Sequence, residues 1–354
     1  MFVTLILLGG PAMEPGSPMH ADVLVVIHCL DEQSHIKKVI ASIMRDPLSK
    51  RISVIVADGG SVDGTRQTVA CLAEQSPNLR LMINPSRIQS AGINRAARVF
   101  GRGCRWLVRM DAHAEYRDSF VSQLVAEAER TSAASVVVAM RARGASCFEK
   151  AAAAAQNSLL GTGGSPHRRG GAEGFVDHGH HALFEMQRFL ALGGYDETQS
   201  YNEDAEFDVR LARSGGRIWL TRATEVVYFP RGRARDLFLQ YRNHGRGRAQ
   251  TILRHRLRPK IRQLLPAAVV PSVLAAFCSP EIPLAALPAL FWLLACAAAG
   301  MVLGLRERSR CALASGCAAP IIHFAWSLGF WLAFLEAAAG VLPCPALTAR
   351  LRAR

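Results

Sequence analysis

The last third of the chain is almost free of charge, and no other feature limits the fold as strongly. Residues 1–262 of the 354 carry nearly all the ionisable side chains, whereas 264–346 hold only a scattered few. A chain divided in this way meets two environments, water and hydrocarbon. Apolar stretches run over 264–280, 282–305 and 312–343, and the last two exceed the roughly 20 residues needed to span a bilayer. Lys and Arg cluster at 254–262 and again at Arg306–Arg310, so the positive-inside rule sets both on the cytosolic side with 279–283 outside. The basic end, Arg350 to Arg354, also prefers the cytosol. That preference conflicts with a third crossing and leaves 312–343 as either a tight hairpin or an interfacial segment. The opening run Met1–Ala12 has no basic n-region and only a short apolar core. It is expected to be a disordered leader, or sequence upstream of a true start at Met13 or Met19.

The remainder reads as one α/β domain. Val23–Ile27 and Ile52–Ala57 are continuous apolar runs, as in strands buried on both faces of a parallel sheet. Between them, 33–46 places Ile36, Val39, Ile40 and Ile43 on one helical face. A helix over 65–73, a strand over 79–83, a helix over 89–100 and a strand over 105–110 continue the alternation. Such alternation predicts a doubly wound, mostly parallel sheet with helices on both faces and ligands beyond the strand carboxyl ends. Asp31-Glu32, Asp58 and Asp111 stand at those ends. The Ala- and Gly-rich segment 141–174 is expected to be a mobile surface loop. The nine cysteines are scattered, without a C-x-x-C pair, so neither a zinc knuckle nor a disulfide is expected, and reduced thiols fit a cytosolic domain.

Four segments carry chemistry. In Arg109-Met-Asp111-Ala-His113, alternate residues of an extended segment point the same way, so Asp111 and His113 can reach one divalent cation. A plain polar strand end would look the same. In Asp58-Gly-Gly-Ser-Val-Asp63-Gly, glycines admit a flat ligand close to backbone, although an ordinary turn would use them too. Glu203 and Asp204 open a helix, as capping acids or with one acting as general base. The basic tract Arg231–Arg262 is a solvated face, a phospholipid contact or a clamp on diphosphate. The net charge of +14 calls for an anionic partner. Nucleic acid is not that partner: few aromatics interleave with the arginines and no nucleic-acid motif appears.

Taken in order, V-V-I-H-C-L-D-E, V-A-D-G-G-S-V-D-G-T, A-G-I-N, R-M-D-A-H, G-G-Y-D-E and N-E-D-A-E-F resemble the family 2 glycosyltransferases of GT-A fold over about 22–262. Within that family the chain is most similar to bacterial exopolysaccharide transferases of the succinoglycan type. The resemblance implies an inverting transferase that uses Mg²⁺ or Mn²⁺ and moves a hexose, glucose being the family-weighted guess, from a UDP-sugar to a polyprenyl-diphosphate-linked saccharide. Asp31, Glu32 and Asp58 then hold the uridine, with Arg109 and Asp111 also on the nucleotide sugar. Asp111 and His113 hold the metal, Asp204 is the base, and Glu203, Gln240, Arg246 and Arg248 face the diphosphate and acceptor.

The implied organisation is a leader (1–21), a catalytic domain (22–235), a basic juxtamembrane segment closing the site (236–262), an anchor of two to three apolar helices (263–346) and a basic tail (347–354). It implies a bacterial inner-membrane protein with a cytoplasmic catalytic domain and phospholipid contacts. Two departures stand out. Asp31 replaces an Asn common in relatives, adding charge beside the base. Gln240 is followed by Tyr-Arg-Asn-His, so the Q-x-x-R-W motif of polymer-extruding synthases is absent. The rival readings are transfer onto a polyprenyl phosphate, and a catalytically degenerate nucleotide-sugar sensor.

Overall fold

A computed structural model of the chain describes residues 21–163, 173–278 and 281–340. The leader, the centre of the Gly-rich segment and the basic tail therefore lie largely outside the described residues. The predicted strands and helices form as β1 (Val23–Cys29), α1 (Gln33–Met44), β2 (Ile52–Asp58), α2 (Thr65–Glu74), β3 (Leu79–Ile83), α3 (Gln89–Phe100) and β4 (Trp106–Asp111). Next come β5 (Ala114–Glu115), α4 (Phe120–Thr131), β6 (Ser135–Ala142), α5 (Cys147–Gln156), α6 (Leu159–Thr162), β7 (Gly174–Val176), β8 (His180–Glu185), α7 (Met186–Ala191), α8 (Glu203–Arg213) and β9 (Ile218–Tyr228).

The nine strands make one sheet in the order β3-β2-β1-β4-β8-β6-β9-β5, with β7 on β9. It is parallel from β3 to β4 and mixed beyond, because β8 runs antiparallel to both β4 and β6. The two-faced burial expected for β1 is seen directly. Val23, Val25 and Ile27 pack with α1 and α4 on one face, while Leu24 and Val26 pack with α3, α7 and α8 on the other. On the second face Phe184, Phe189, Tyr195 and Phe207 meet at ring separations of 5.1–6.1 Å. This aromatic cluster fixes α8 against the sheet.

Two expectations are corrected here. Much of 141–174 is not a loop: β6 runs to Ala142, and α5 follows with a capping box between Ser146 and Glu149. The alanine run 151–155 is buried because small side chains let the apolar helices approach. The second correction concerns the thiols: Cys147 and Cys311 form a disulfide across 164 residues. Sequence spacing gives no hint of it, since the two meet only after the apolar segment folds back on α5.

The C-terminal part is helical: α9 (Ala234–His255), α10 (Ile261–Ala267), α11 (Val269–Cys278), α12 (Leu287–Arg306), α13 (Arg310–Leu313) and α14 (Ser315–Ala338). Ile261–Cys278, Pro283–Arg306 and Arg310–Ala338 are long and apolar enough to cross a membrane. Within the 312–343 stretch, Ser315–Ala338 is one continuous helix, not a hairpin. Between α10 and α11, Ser327 of α14 donates to the Ala267 carbonyl at 2.9 Å and accepts from the Val270 amide at 3.0 Å. Gly245 of α9 faces the Trp326 carbonyl, and Gly329 of α14 faces the Arg242 carbonyl, each so close that a Cβ would collide with the oxygen.

Gly329→Leu should therefore destabilise the detergent-solubilised protein by about 2 kcal/mol or more from overpacking, exceeding the roughly 1 kcal/mol gained in helix propensity. Ala298→Leu on the open face of α12 should change stability by no more than about 0.5 kcal/mol. Equal thermal midpoints for the two variants would contradict the close approach of α9 and α14.

Candidate active site

The loops after β1 and β2 brace each other. Asp58 is fully buried, and its oxygens accept from the Gly60 amide at 2.9 Å, the Ser61 amide at 3.2 Å and Arg66 Nε at 2.6 Å. Gly60 and Gly64 take positive φ, 103° and 99°, which the turn requires and a side chain would resist. The Asp31 amide donates to Ser61 Oγ (2.9 Å), the Glu32 amide to Thr65 Oγ1 (2.9 Å), and the Val62 amide to Asp31 Oδ1 (2.8 Å). Asp31 is exposed at φ 55° and Glu32 is half-buried. Asp58 thus shapes the rim on which Asp31 stands. Burial opposes its charge, but Ser61, Arg66 and the Gly60 amide hold the carboxyl below its ordinary 3.8.

β4 delivers the second group. Arg109 is 6% exposed; its Nη1 lies 2.6 Å from Asp204 Oδ1 and 3.2 Å from Glu203 Oε1, and its Nη2 3.4 Å from Asp111 Oδ1. Burial opposes a charge here, yet Asp204, Asp111 and Glu203 keep the guanidinium well above its usual value. Asp111 is likewise disfavoured by burial but held well below the carboxylate range by Arg109 and His180. Glu203 is pushed up to about 7 by burial and by repulsion from Asp204, against the pull of Arg109. Burial and Asp204 thus favour the protonated form of Glu203, whereas Arg109 and His180 favour the ionised form of Asp111.

His113 Nδ1 sits 3.0 Å from Glu32 Oε1. That hydrogen bond raises the ring against the effect of burial, with Asp111 adding to the rise. In the neutral tautomer with the proton on Nδ1, Nε2 presents its lone pair, the arrangement common for a metal-ligating histidine backed by a carboxylate. Among the described residues no three His, Cys, Asp or Glu side chains form a closed metal cage. An open pair such as Asp111 and His113 suits Mg²⁺ or Mn²⁺, which leave positions for water and phosphate oxygens.

α8 carries Glu203 and Asp204 because the preceding turn is over-determined. Asn94 of α3 exchanges hydrogen bonds with the Tyr195 backbone, both at 2.8 Å, and Gly194 (φ 74°) leaves room for its amide. Arg210 reaches back to the Leu192 and Gly194 carbonyls at 2.6 and 2.7 Å. The A-G-I-N and G-G-Y-D-E motifs are thus two halves of one contact. Asn202 starts α8 at φ 64° and donates to Thr251 Oγ1 of α9 at 3.2 Å.

The structure brings Glu32, Arg109, Asp111, His113, Glu203 and Asp204 together. On α9, Gln240 Nε2 donates to the Tyr228 hydroxyl at 2.7 Å. Arg246 pairs with Glu336 of α14 at 2.9 Å, so its charge is directed at the apolar helices. Arg248 has no ion pair or hydrogen bond among the described residues, and burial with Arg262 nearby pushes it down to about 10. Sequence reasoning missed His28, pushed down to about 4 by burial and Arg109, and Tyr116, whose hydroxyl accepts from the Asp111 amide at 2.6 Å. His180 is a further site residue that none of the sequence motifs contains. Its ring lies 3.5 Å from Asp111 and 3.7 Å from Asp204. It is the first residue of β8, and the antiparallel pairing with β4 sets that end of the strand beside Asp111.

Glycosyl transferase family 2 is the family model that matches, over residues 24–189. The chain is 45% identical over 313 residues to the succinoglycan biosynthesis protein ExoA of Rhizobium meliloti (strain 1021), covering 88% of this chain and 95% of the relative. Among solved structures, the mannosyltransferase PcManGT from Pyrobaculum calidifontis, in complex with GDP-Man and Mn²⁺, superposes with a TM-score of 0.55 at 18% identity. That match covers 88% of this chain and 87% of the other, and it is a likeness of fold.

Asp58→Asn should cost about 1–3 kcal/mol near neutrality by leaving loop amides and Arg66 poorly satisfied. Because the folded carboxyl titrates below the unfolded one, its contribution is present above 3.8 and fades as pH falls through the folded value. Chemical unfolding of both proteins across pH should show a constant gap from neutrality down to about pH 5, closing in stronger acid. A gap that widens in acid would contradict the assignment.

Proposed function

The chain belongs to the family 2 glycosyltransferases, and from that premise we propose that it transfers a hexose, with inversion, from a UDP-sugar to a polyprenyl-diphosphate-linked saccharide in exopolysaccharide assembly. The observation that carries this reading is the convergence of Asp111, Glu203 and Asp204 on Arg109, which sets a strand-end carboxylate beside a helix-start carboxylate. The 45% identity to a succinoglycan biosynthesis protein supports the exopolysaccharide context. Three helices long and apolar enough to span a bilayer support an acceptor carried on lipid, with the catalytic half on the cytoplasmic face of the inner membrane.

Asp31 and Glu32 line the rim over which the uridine lies, and Asp58 holds that rim in shape. Asp111 and His113 would hold a Mg²⁺ or Mn²⁺, which when bound neutralises charge developing on the diphosphate. Asp204 takes the proton of the acceptor hydroxyl as that oxygen attacks the anomeric carbon from the face opposite UDP. The proton ends on the Asp204 carboxylate, the glycosidic bond to UDP breaks, and configuration inverts. Arg109 orients Asp204, and Glu203 beside it limits the local negative charge by its own protonation. Arg248, buried with Asp208 as the carboxylate whose field favours its charge, suits a phosphate. Gln240 stands on the acceptor side of this proposal, whereas Arg246, expected there from the resemblance, is taken up by Glu336 of α14. In this proposal the exposed Arg256 and Arg258 face phospholipid headgroups.

The test is UDP release by membranes containing the protein, across a panel of UDP-sugars with glucose first, with and without Mn²⁺ and a lipid-linked saccharide extract. Asp204→Asn and Asp111→Ala should each lower acceptor-dependent release by about 100-fold or more. Full activity of Asp204→Asn would remove it as the base. Release supported only by a polyprenyl phosphate would favour the rival acceptor, and donor binding without turnover would favour the sensor.

A further inference from the structure

We propose that Arg248 and Arg262 form a second phosphate site, separate from that at Asp111 and His113, which holds the diphosphate of the lipid-linked acceptor. The site rests on the transferase reading and deepens it by fixing where the acceptor's head group is held. A ladder of contacts along residues 177–180 is the basis. His180 lies 3.5 Å from Asp111 and 3.7 Å from Asp204, His178 Nδ1 lies 2.6 Å from Asp208, and Asp177 pairs with Lys260. One short segment therefore runs from the catalytic carboxylates, past the second turn of α8, to the residues that open α10. The backbone of Arg262 packs there against Gly163.

Arg248 stands at the far end of this ladder. Its neighbour Gly247 packs on Tyr201 and Asn202, which sets α9 beside the start of α8. Asp208 is the carboxylate whose field favours charge on Arg248, and Arg262 is close enough to oppose it. Among the described residues neither arginine makes a hydrogen bond or an ion pair. Two guanidiniums set near one carboxylate leave an excess of positive charge, and a phosphate can meet both with bidentate bonds. The side chains of Asp204, His178 and His180 keep 14%, 19% and 20% of their exposure, so the ladder lines an open cleft.

Two features select a lipid-borne diphosphate over a second nucleotide. Ile261, Leu264 and Leu265 of α10 flank Arg262 and are 79%, 50% and 71% exposed, so apolar surface lies directly beside the cationic pair. α10 also opens the first of the segments apolar enough to cross a membrane. A ligand with an anionic head and a hydrocarbon tail matches both, its head between the arginines and its tail along α10. Asp208 follows Asp204 by one turn of α8, about 6 Å along the axis. A phosphate held at the Asp208 end is thus a turn away from the base. The hydroxyl that Asp204 deprotonates then belongs to the saccharide carried on the diphosphate, not to a phosphate.

The test keeps the nucleotide site filled. The full chain in detergent is titrated with farnesyl diphosphate in saturating UDP and Mg²⁺, and read by calorimetry and by thermal midpoint. Saturable binding that excess inorganic pyrophosphate displaces and farnesol does not is expected. Arg248→Gln and Arg262→Gln should each weaken it about 10-fold or more, with UDP affinity unchanged. No binding to the unmodified chain, equal displacement by dihexanoyl phosphatidylglycerol, or a loss that falls on UDP affinity would overturn the site. Arg262 is only half-buried, so Arg262→Gln gives the reading even where Arg248→Gln fails to fold. UDP release by membranes separates this site from the transferase reading. No release under any acceptor, with farnesyl diphosphate binding intact, removes the transferase and keeps the site. Release in both variants with an unchanged KM for the lipid-linked saccharide removes the site and keeps the transferase.

Discussion

Arg109 lies near the end of a central strand, almost sealed from water, with three carboxylates around its guanidinium. Two of them, Glu203 and Asp204, are neighbours on the first turn of α8, and the third is two residues along the same strand. Without the cation, three buried negative charges would repel one another, and the start of α8 would have no reason to approach β4. Even with it, Glu203 is pushed up to about 7. Breaking a buried ion pair by removing one partner typically costs about 3–5 kcal/mol, and here one partner serves three. The geometry of the site and the docking of α8 are therefore the same electrostatic problem. The aromatic cluster beneath Phe207 supplies the apolar half of its solution.

The loops that carry Asp31 and Asp58 solve a different problem, that of holding irregular backbone still before any ligand arrives. Their amides are satisfied by the side chains of the opposite loop: Ser61 and Thr65 receive the backbone of 31 and 32, and Asp31 receives that of Val62. Rigidity follows because neither loop can move without orphaning the other's donors. Asp58 sits under this lattice, fully buried, and its charge is used on the protein itself.

Strands of the parallel half were legible because both their faces are buried, which writes a continuous apolar run into the sequence. The motifs were legible as residue types at strand ends. Pairings across the fold were not. Nothing local links Asn94 to Tyr195, or Cys147 to Cys311, because each contact is created by the sheet bringing distant segments together. The alanine run of α5 misled for a related reason: alanine is compatible with exposed loop and with tight helix packing, and only the neighbours decide. His180 was not legible because its two carboxylate neighbours, Asp111 and Asp204, come from distant segments.

α9 joins the two halves of the molecule, and its sequence shows why it has to be both polar and small. One side meets α8 through Gly247 and Thr251, where a Cβ at 247 would collide with the Tyr201 backbone. The other side meets α14 through Gly245. Glycines at 245 and 247 lie about 200° apart around a helix of 3.6 residues per turn, so the helix is thinned on opposite sides at one level. Glycine here costs up to about 1 kcal/mol each in helix propensity relative to alanine. The close approach it permits on both sides ties Asn202, and with it the first turn of α8, to the apolar helices through a single rigid element. A displacement of the anchor is thereby carried to the carboxylate cluster with only α9 in between.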